Sequence, residues 1–392
     1  MGQLALGIMI RIHSEYKEAF PMVSKAIRLV KKNTVAAIAL FAAIISAILV
    51  PPDRAYLDYF DVKTLCCLFG TLAVVCALKN IHFFSILAGR IIRWTGDARW
   101  AALTLVYITF IGSMLIANDM ALITFLPLGY YVFSTAGRRE EVATVFILQN
   151  IAANLGGMLT PFGNPQNLYL YAHFEIPTGE FMSIMAAPFA LAVILISLCC
   201  LLVPRHSLRV SVSKEADVLP AKRTGIYLAL FAMTIMMVFR LLPPLLVLAV
   251  VTIALGVMDR KALKMVDYGL LMTFVFFFVF AGNMGRLPAV RAFFSGLLER
   301  NALLTSVFSC QVISNVPSAI LLSQFTDNYA SLLTGVNIGG AGTLIASLAS
   351  LITFREYTSH YPGTAGRYIL RFSALNFSFL AVMTVFCVYI GR

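Results

Sequence analysis

The chain has 392 residues, of which 60% are hydrophobic and 12% charged, with a formal net charge of +12 and a mean hydropathy of +0.87. Soluble domains carry about a quarter charged residues, so a soluble globular fold is excluded. The basic excess clusters at the ends of apolar blocks rather than along a stripe with exposed aromatics, so the expected partner is a lipid bilayer and not nucleic acid.

Residues 1–33 carry Arg11, Lys17, Lys25, Arg28, Lys31 and Lys32 and lack the apolar core and cleavage site of a signal peptide. They read as a basic segment that stays in the cytoplasm. Apolar blocks then predict crossings near 34–50 and 62–78, followed by an amphipathic interfacial stretch at 80–95 whose end, with Trp94 and Trp100, fits the aromatic belt. Residues 100–135 have two apolar arms around the polar pair Asn118-Asp119, the pattern of a re-entrant hairpin. Crossings follow near 141–172 and 180–203, then a polar linker, 204–223. The second half gives crossings near 224–239, 243–258 and 268–282, an interfacial stretch at 283–300, a hairpin at 302–326 broken at Ser314-Asn315, and crossings near 331–353 and 368–390.

With the N-terminus inside and both hairpins returning to their own side, 23 of the 30 Arg and Lys residues fall on the cytoplasmic side. Counting either hairpin as one crossing would invert everything after it and lose this asymmetry. The fold class is therefore an all-α polytopic membrane protein of about nine crossings and two hairpins. Its parts are 1–33, a first repeat at 34–203, the linker 204–223 and a second repeat at 224–392.

The repeat is legible at residue level. NLGGMLTPFGNPQNL (154–168) aligns without a gap over NIGGAGTLIASLASL (337–351), sharing Asn154/Asn337, Gly156/Gly339, Gly157/Gly340, Thr160/Thr343 and Leu168/Leu351. Upstream, IANDMALI (116–123) lies over ISNVPSAI (313–320). The charge-derived topology runs the two halves in opposite directions, which makes the repeat inverted.

Gly-Gly, Thr160-Pro161 and Asn164-Pro165 cannot continue a lipid-facing helix. Such breaks persist at membrane depth where they line a site, freeing carbonyls for a small cation and aiming half-helix N-termini at an anion. Close helix packing by the glycines and hairpin capping by Asn or Ser are the structural alternatives. Asp119, an ionisable group at depth, reads as a cation- or proton-carrying residue, with N-capping of the arm 120–135 as its alternative. Asp61 and Asp267, at matching places before 62–78 and 268–282, read as helix caps. The seven cysteines read as small core hydrophobes, and the scattered histidines have no ligand spacing, so no metal centre or cofactor is expected beyond a coupling ion.

At these motifs, TPFGNPQNL, QVISNVPSAILL and GVNIGGAGTLIASLASLI, the chain resembles the ion transporter superfamily of arsenite permeases, citrate transporters, divalent anion/sodium symporters and D-type sodium/proton antiporters, in its anion-permease branch. The resemblance implies a homodimer, a mobile transport domain that moves as an elevator, and no enzymatic activity. It places substrate and ion binding at Asn118, Asp119, Asn154, Gly156, Gly157, Thr160, Pro161, Asn164, Asn167, Ser314, Asn315, Pro317, Ser318, Asn337, Gly339, Gly340, Thr343, Ser347 and Ser350. Sodium would be framed by Asn118, Asn154, Gly157, Asn315, Asn337 and Gly340.

Dicarboxylate symporters of that superfamily carry Ser-Asn-Thr at both hairpin tips. This chain has Ala117-Asn118-Asp119 and Ser314-Asn315-Val316, which argues against a dicarboxylate. The expected function is transport of a small carboxylate or oxyanion across the cytoplasmic membrane, coupled to sodium or protons. A sodium/proton antiporter of the same fold is the alternative.

Overall fold

The computed structural model describes residues 33–92, 94–135, 139–207 and 219–391. The basic segment expected at 1–33, apart from Asn33, lies outside the described residues, as does 208–218 of the linker. The first half comprises α1 (Thr34–Leu49), α2 (Val62–Asn80), α3 (Phe83–Ile92), α4 (Ala98–Ile116), α5 (Asn118–Thr135), α6 (Arg139–Gly156), α7 (Pro165–His173) and α8 (Thr178–Leu201). The second comprises α9 (Ala221–Val238), α10 (Pro244–Met258), α11 (Arg260–Met265), α12 (Tyr268–Arg286), α13 (Pro288–Ile313), α14 (Asn315–Leu322), α15 (Tyr329–Ile338), α16 (Leu348–His360) and α17 (Ala365–Ile390). Short 3-10 turns occupy Arg54–Tyr59 and Gly157–Leu159.

Helix starts follow local chemistry. Asp61 caps α2 by accepting from the Thr64 N–H at 2.9 Å and the Thr64 hydroxyl at 2.6 Å, and Asp267 caps α12 by accepting from the Leu270 N–H at 3.0 Å. Pro165, Pro244 and Pro288 open α7, α10 and α13, where a missing N–H costs nothing. Inside α13 the backbone breaks at Asn301 (φ −163°, ψ 96°), whose Oδ1 accepts from the Leu304 N–H at 2.9 Å. The stretch 288–300 is thus set off from the hairpin arm 302–313, while 83–92 forms α3.

Seven helices are long and apolar enough to cross a membrane among the described residues: α2, α4, α6 with its 3-10 extension, α8, α9, α12 and α17. The sequence reading differs in detail. The blocks at 34–50 and 243–258 form helices of 16 and 15 residues, and 331–353 is split into α15 and α16 of 10 and 13 residues. A 15-residue helix rises only about 22 Å against roughly 30 Å of hydrocarbon. Conversely α4, read as one arm of a hairpin, has 19 residues and spanning length by itself. It turns at the single residue Ala117 into α5 and packs against it, so the chain still returns to the side it left.

The packing is reciprocal. Helix α1 lies on α12 and α10 on α2; α4 packs on α6 and the distal part of α13 on α15; α5 packs on α16 and α14 on α7. Helix α6 is the axis, buried at every position from Val142 to Gly156 except Thr144.

Contacts between connecting segments fall into two sets. In one, Lys63 pairs with Glu175 at 3.2 Å, Arg240 donates to the Glu175 carbonyl at 3.1 Å, Arg286 pairs with Asp53 at 2.6 Å, and the Tyr329 hydroxyl donates to Glu180 at 2.6 Å. The hydrogen bond from Arg286 holds the Asp53 carboxyl below the ordinary carboxylate range. In the other set, Asn80 donates to Asp259 at 3.0 Å, Arg99 donates to the Val203 carbonyl at 2.8 Å, His206 lies 3.7 Å from Glu141, and the Tyr130 ring stacks on His360 with centroids 3.6 Å apart. Helix α2 starts in the first set at Lys63 and ends in the second at Asn80, so the sets mark opposite ends of the bundle. The segment α6–α7 runs from Glu141 in the second set to Glu175 in the first. The segment α15–α16 runs from Tyr329 in the first to His360 in the second.

Candidate functional site

Four helices begin close together where the two broken segments cross. Helix α5 starts at Asn118 and α14 at Asn315; α7 follows Asn164 and α16 follows Ser347. The two hairpin tips share one unusual backbone. Ala117 (φ 66°, ψ 153°) and Ser314 (φ 75°, ψ 160°) both occupy a region that glycine alone visits without strain. Next in each chain, Asn118 Oδ1 accepts from the Asp119 N–H and Asn315 Oδ1 from the Val316 N–H, both at 2.9 Å.

The tips meet the breaks through side-chain amides. Asn118 Nδ2 donates to Asn154 Oδ1 at 3.1 Å, and Ser347 Oγ donates to the same oxygen at 2.8 Å. Asn164 Nδ2 donates to the Asn154 carbonyl and to Asn337 Oδ1, each at 3.3 Å, and Asn337 Nδ2 donates to Asn167 Oδ1 at 2.6 Å. The second tip is pinned by the Asn315 N–H, 2.9 Å from the Ala346 carbonyl, and by Ser314 Oγ, 3.3 Å from it. A Cβ at Gly340 would lie 3.2 Å from Asn315 Nδ2, 3.3 Å from the Asn337 carbonyl oxygen and 3.8 Å from Asn154 Oδ1, so a side chain here would crowd the cluster. Asn118, Asn154, Asn164, Asn315, Asn337 and Ser347 are each at most 3% exposed.

A polar cluster this dry is costly unless every group is paired, and two atoms are not. Asn154 Nδ2 and Asn164 Oδ1 have no hydrogen-bond partner among the described residues. The hydrogen bonds of the cluster involve no Lys or Arg. Its favourable field for an anion therefore comes from the helix N-termini, and its neutral oxygens are of the kind that suits a small hard cation.

The other residues singled out from the sequence take several places. Asn167 Nδ2 donates to the carbonyls of Gly157, Met158 and Thr160 at 3.0, 3.3 and 3.2 Å, holding the first break open. Thr160 Oγ1 donates to the Met114 carbonyl at 2.9 Å and Thr343 Oγ1 to the Gln311 carbonyl at 3.1 Å, equivalent bonds under the repeat alignment that fasten each break to its own hairpin. A Cβ on Gly157 would fall 2.5 Å from Asn164 Oδ1, so this glycine admits the cluster.

Gly156 and Gly339 are packing residues instead: a Cβ would fall 2.4 Å from the Phe110 carbonyl oxygen in one case and 2.9 Å from Cys310 Sγ in the other. Ser318 joins Ser309 across the second hairpin at 2.8 Å, and Ser350 joins Asn150 at 3.4 Å, one turn beyond the cluster. Pro161 lies buried in the first break, and Pro317 is buried in the first turn of α14.

Asp119 does not cap. Its backbone N–H, not its carboxylate, takes part in the tip hydrogen bond; Oδ1 is buried with no partner among the described residues. The residue lines a cavity of about 60 Å³ shared with Thr71, Phe162, Asn164 and Asp267.

Sequence reasoning missed three glutamines, of which Gln149 and Gln166 are buried and Gln311 is partly buried. Gln311 Nε2 donates to the carbonyls of Gly339 and Ala341 at 2.9 and 3.3 Å while its Oε1 accepts from the Thr343 N–H at 2.9 Å, doing for the second break what Asn167 does for the first. Gln166 reaches Asn337 Oδ1 at 3.5 Å, and Gln149 ties α6 to Thr109 and to the Phe125 carbonyl at 3.0 and 3.3 Å. Because the repeat partner of Gln311 is Met114, a search by internal identity passes over it. The available signal was a glutamine inside an apolar helix.

Comparison with known proteins agrees with this architecture. The sequence profile of the citrate transporter family matches residues 22–354. The chain is 30% identical over 309 residues, 79% of its own length and 84% of the relative's, to the uncharacterized transporter MJ0456 of Methanocaldococcus jannaschii. It is 28% identical over 303 residues, 75% and 80% of the two lengths, to the inner membrane protein YbiR of Escherichia coli. A shorter match, 33% identical over 132 residues and covering 33% of this chain and 26% of the other, is to the silicon efflux transporter LSI3 of Oryza sativa. The chain belongs to the citrate transporter family of multi-pass membrane transporters.

Proposed function

We propose that this transporter is a secondary active carrier of a small anion, a carboxylate or oxyanion, coupled to sodium or protons across the cytoplasmic membrane with its N-terminus inside. The observation that carries this reading is the convergence of four helix N-termini on a dry amide cluster with two unpaired polar atoms. The cluster offers an anion only the partial charges of helix N-termini, with no Arg or Lys, and Asp119 stands beside the first hairpin tip where the dicarboxylate symporters carry threonine. A monoanion or a weak oxyacid therefore fits better than a di- or tricarboxylate. The silicon carried by the relative from Oryza sativa supports an oxyacid in the same direction.

The neutral oxygens of Asn118, Asn154, Asn315 and Asn337, with the buried backbone that lacks a side chain at Gly157 and Gly340, are a fitting frame for sodium. The crossing of two oppositely running broken helices supports inverted repeats, 34–203 and 224–392, that exchange access to one site. The elevator motion and the homodimer rest on the family resemblance.

Thermal unfolding of detergent-purified protein against oxyanions and carboxylates, each with sodium, lithium or choline, tests this. An anion-dependent rise in Tm that needs sodium or lithium is expected, together with flux of the same anion into liposomes. Liposomes that move no anion under any cation or proton gradient would refute it.

A second reading, sodium/proton exchange, is favoured by one observation: Asp119 lines a cavity with a buried carboxylate oxygen that has no hydrogen-bond partner among the described residues. It requires sodium-driven proton flux without any anion, abolished in Asp119→Asn. Proton flux that persists in that variant excludes it.

A further inference from the structure

Two cavities, the first of which reaches the amide cluster, share four repeat-equivalent lining positions. The first, about 60 Å³, is lined by Asp267 before α12, by Leu72 of α2, by Ile123 of the first hairpin and by Ile352 of α16. The second, about 140 Å³, is lined by Asp61 before α2, by Phe278 of α12, by Ile320 of the second hairpin and by Tyr169 of α7. These four positions of each lining are repeat partners, while the other lining residues, among them Asp119 and Asn164 in the first and Asp58 and His173 in the second, are not. Asp61 and Asp267, like Leu72 and Phe278, are 206 residues apart; Ile123 and Ile320 keep the 197-residue offset of the hairpin motifs; Tyr169 and Ile352 keep the 183-residue offset of the break motifs.

Asp267 follows α11 at the end of the bundle marked by the Asn80–Asp259 contact. Asp61 sits at the end marked by Lys63–Glu175. The two aspartates therefore lie toward opposite ends of the bundle. Their lining carries no Lys or Arg: Asp119 and Asp267 are the charged groups of the first, and Asp58 and Asp61, beside His173, those of the second. Asn164 lines the first cavity and also belongs to the amide cluster, which joins cavity to site.

We propose that these cavities are the two mouths of one pathway for the coupling cation, one at each membrane face, with Asp61 and Asp267 as the residues that admit a monovalent cation at either mouth. The proposal rests on the cation-coupled reading above and adds to it the route and the admitting residues. Carboxylates in a recess whose lining supplies no Lys or Arg raise the local concentration of small cations and repel anions, the more so where the walls are apolar, as they largely are in the first cavity. The capping hydrogen bonds of Asp61 and Asp267 leave each cap replaceable by Asn, which caps as well and carries no charge.

The test has two arms. In a variant lacking the seven native cysteines, Thr71→Cys and Gln324→Cys place one thiol in each cavity, and a membrane-impermeant thiol reagent is added to one face or the other of oriented vesicles. Labelling of the two positions from opposite faces is expected. Labelling of both from the same face, or of neither from either face, overturns the proposal, and this arm needs no transport, so it is decided even if the functional reading fails. In the second arm, Asp61→Asn and Asp267→Asn are assayed for the sodium or lithium concentration that half-saturates transport from each face. Each variant should raise that concentration about threefold or more from its own face only, with unchanged maximal rate. An equal effect on both faces, a fall in maximal rate alone, or no effect in either variant overturns the role of the aspartates.

Discussion

Gly156 and Gly340 stand one position apart within the same repeated Asn-x-Gly-Gly motif, yet space decides different roles for them. A methyl on Gly156 would meet the Phe110 carbonyl oxygen at 2.4 Å, a backbone atom that cannot swing away, whereas on Gly340 it would meet Asn315 Nδ2, the movable end of a side chain, at 3.2 Å and the Asn337 carbonyl oxygen at 3.3 Å, tight contacts that a shift of a few tenths of an ångström relieves. Gly156→Ala should therefore lower stability by about 1–3 kcal/mol, the usual cost of overpacking, and reduce the yield of folded protein. Gly340→Ala should fold with a near-normal Tm and lose most of the Tm rise produced by the coupling cation. Equal loss of ligand-free stability in both variants would contradict this distinction. Strain at the hairpin tip is checked by Ala117→Gly: relief of an L-residue at φ 66° should raise stability by about 1 kcal/mol after the extra freedom of the unfolded glycine is set against it. The asparagines and the second glycines were legible from sequence because the repeat prints them twice. Close packing was the open alternative for both glycines of each pair, and its assignment to Gly156 and Gly339 was not legible, because it depends on which arm of the hairpin crosses them.

At the scale of the element, the breaks were legible because Gly-Gly, Thr160-Pro161 and Asn164-Pro165 have no other use inside an apolar segment. Lengths were less legible. The apolar run at 243–258 contains Pro243-Pro244, which delays the start of α10 and leaves 15 helical residues, while α4 extends without a breaker until Ala117. The boundary between the interfacial stretch 283–300 and the hairpin arm 302–326 was legible, but its local cause was not, since no proline or glycine marks the kink in α13. Asn301 makes it by leaving the helical region and capping the turn that follows through the Leu304 N–H. Asn301→Ala should cost about 1 kcal/mol, the worth of an N-cap, and Asn301→Asp should restore most of it. Parallel Tm measurements decide the matter: identical stability of the alanine and aspartate variants would show that the kink is imposed by the flanking helices and not by the cap.

For the whole molecule, the topology was written in the distribution of charge, and the structure supplies independent contacts against which to hold it. The segments joined by Lys63–Glu175, Arg240–Glu175, Arg286–Asp53 and Tyr329–Glu180 all fall on the side the charge count leaves poor in Arg and Lys. Those joined by Asn80–Asp259, Arg99–Val203, His206–Glu141 and Tyr130–His360 all fall on the basic side. A wrong assignment of either hairpin would have put partners of several contacts on opposite faces, because every crossing after it would be reversed. What charge alone could not reveal is how the halves interlock, α1 on α12 and α10 on α2, since apolar residues facing a neighbouring helix read the same as those facing lipid. The absolute orientation follows from the positive-inside asymmetry and gives a direct prediction. A reporter active only in the cytoplasm should be active when fused before Met1 or inserted within 208–218, and silent when fused after Arg392. A reporter active only outside should give the reverse pattern. Activity of the same reporter at both termini would require an even number of crossings, and with it either a crossing lost from the nine or one hairpin that passes through the membrane.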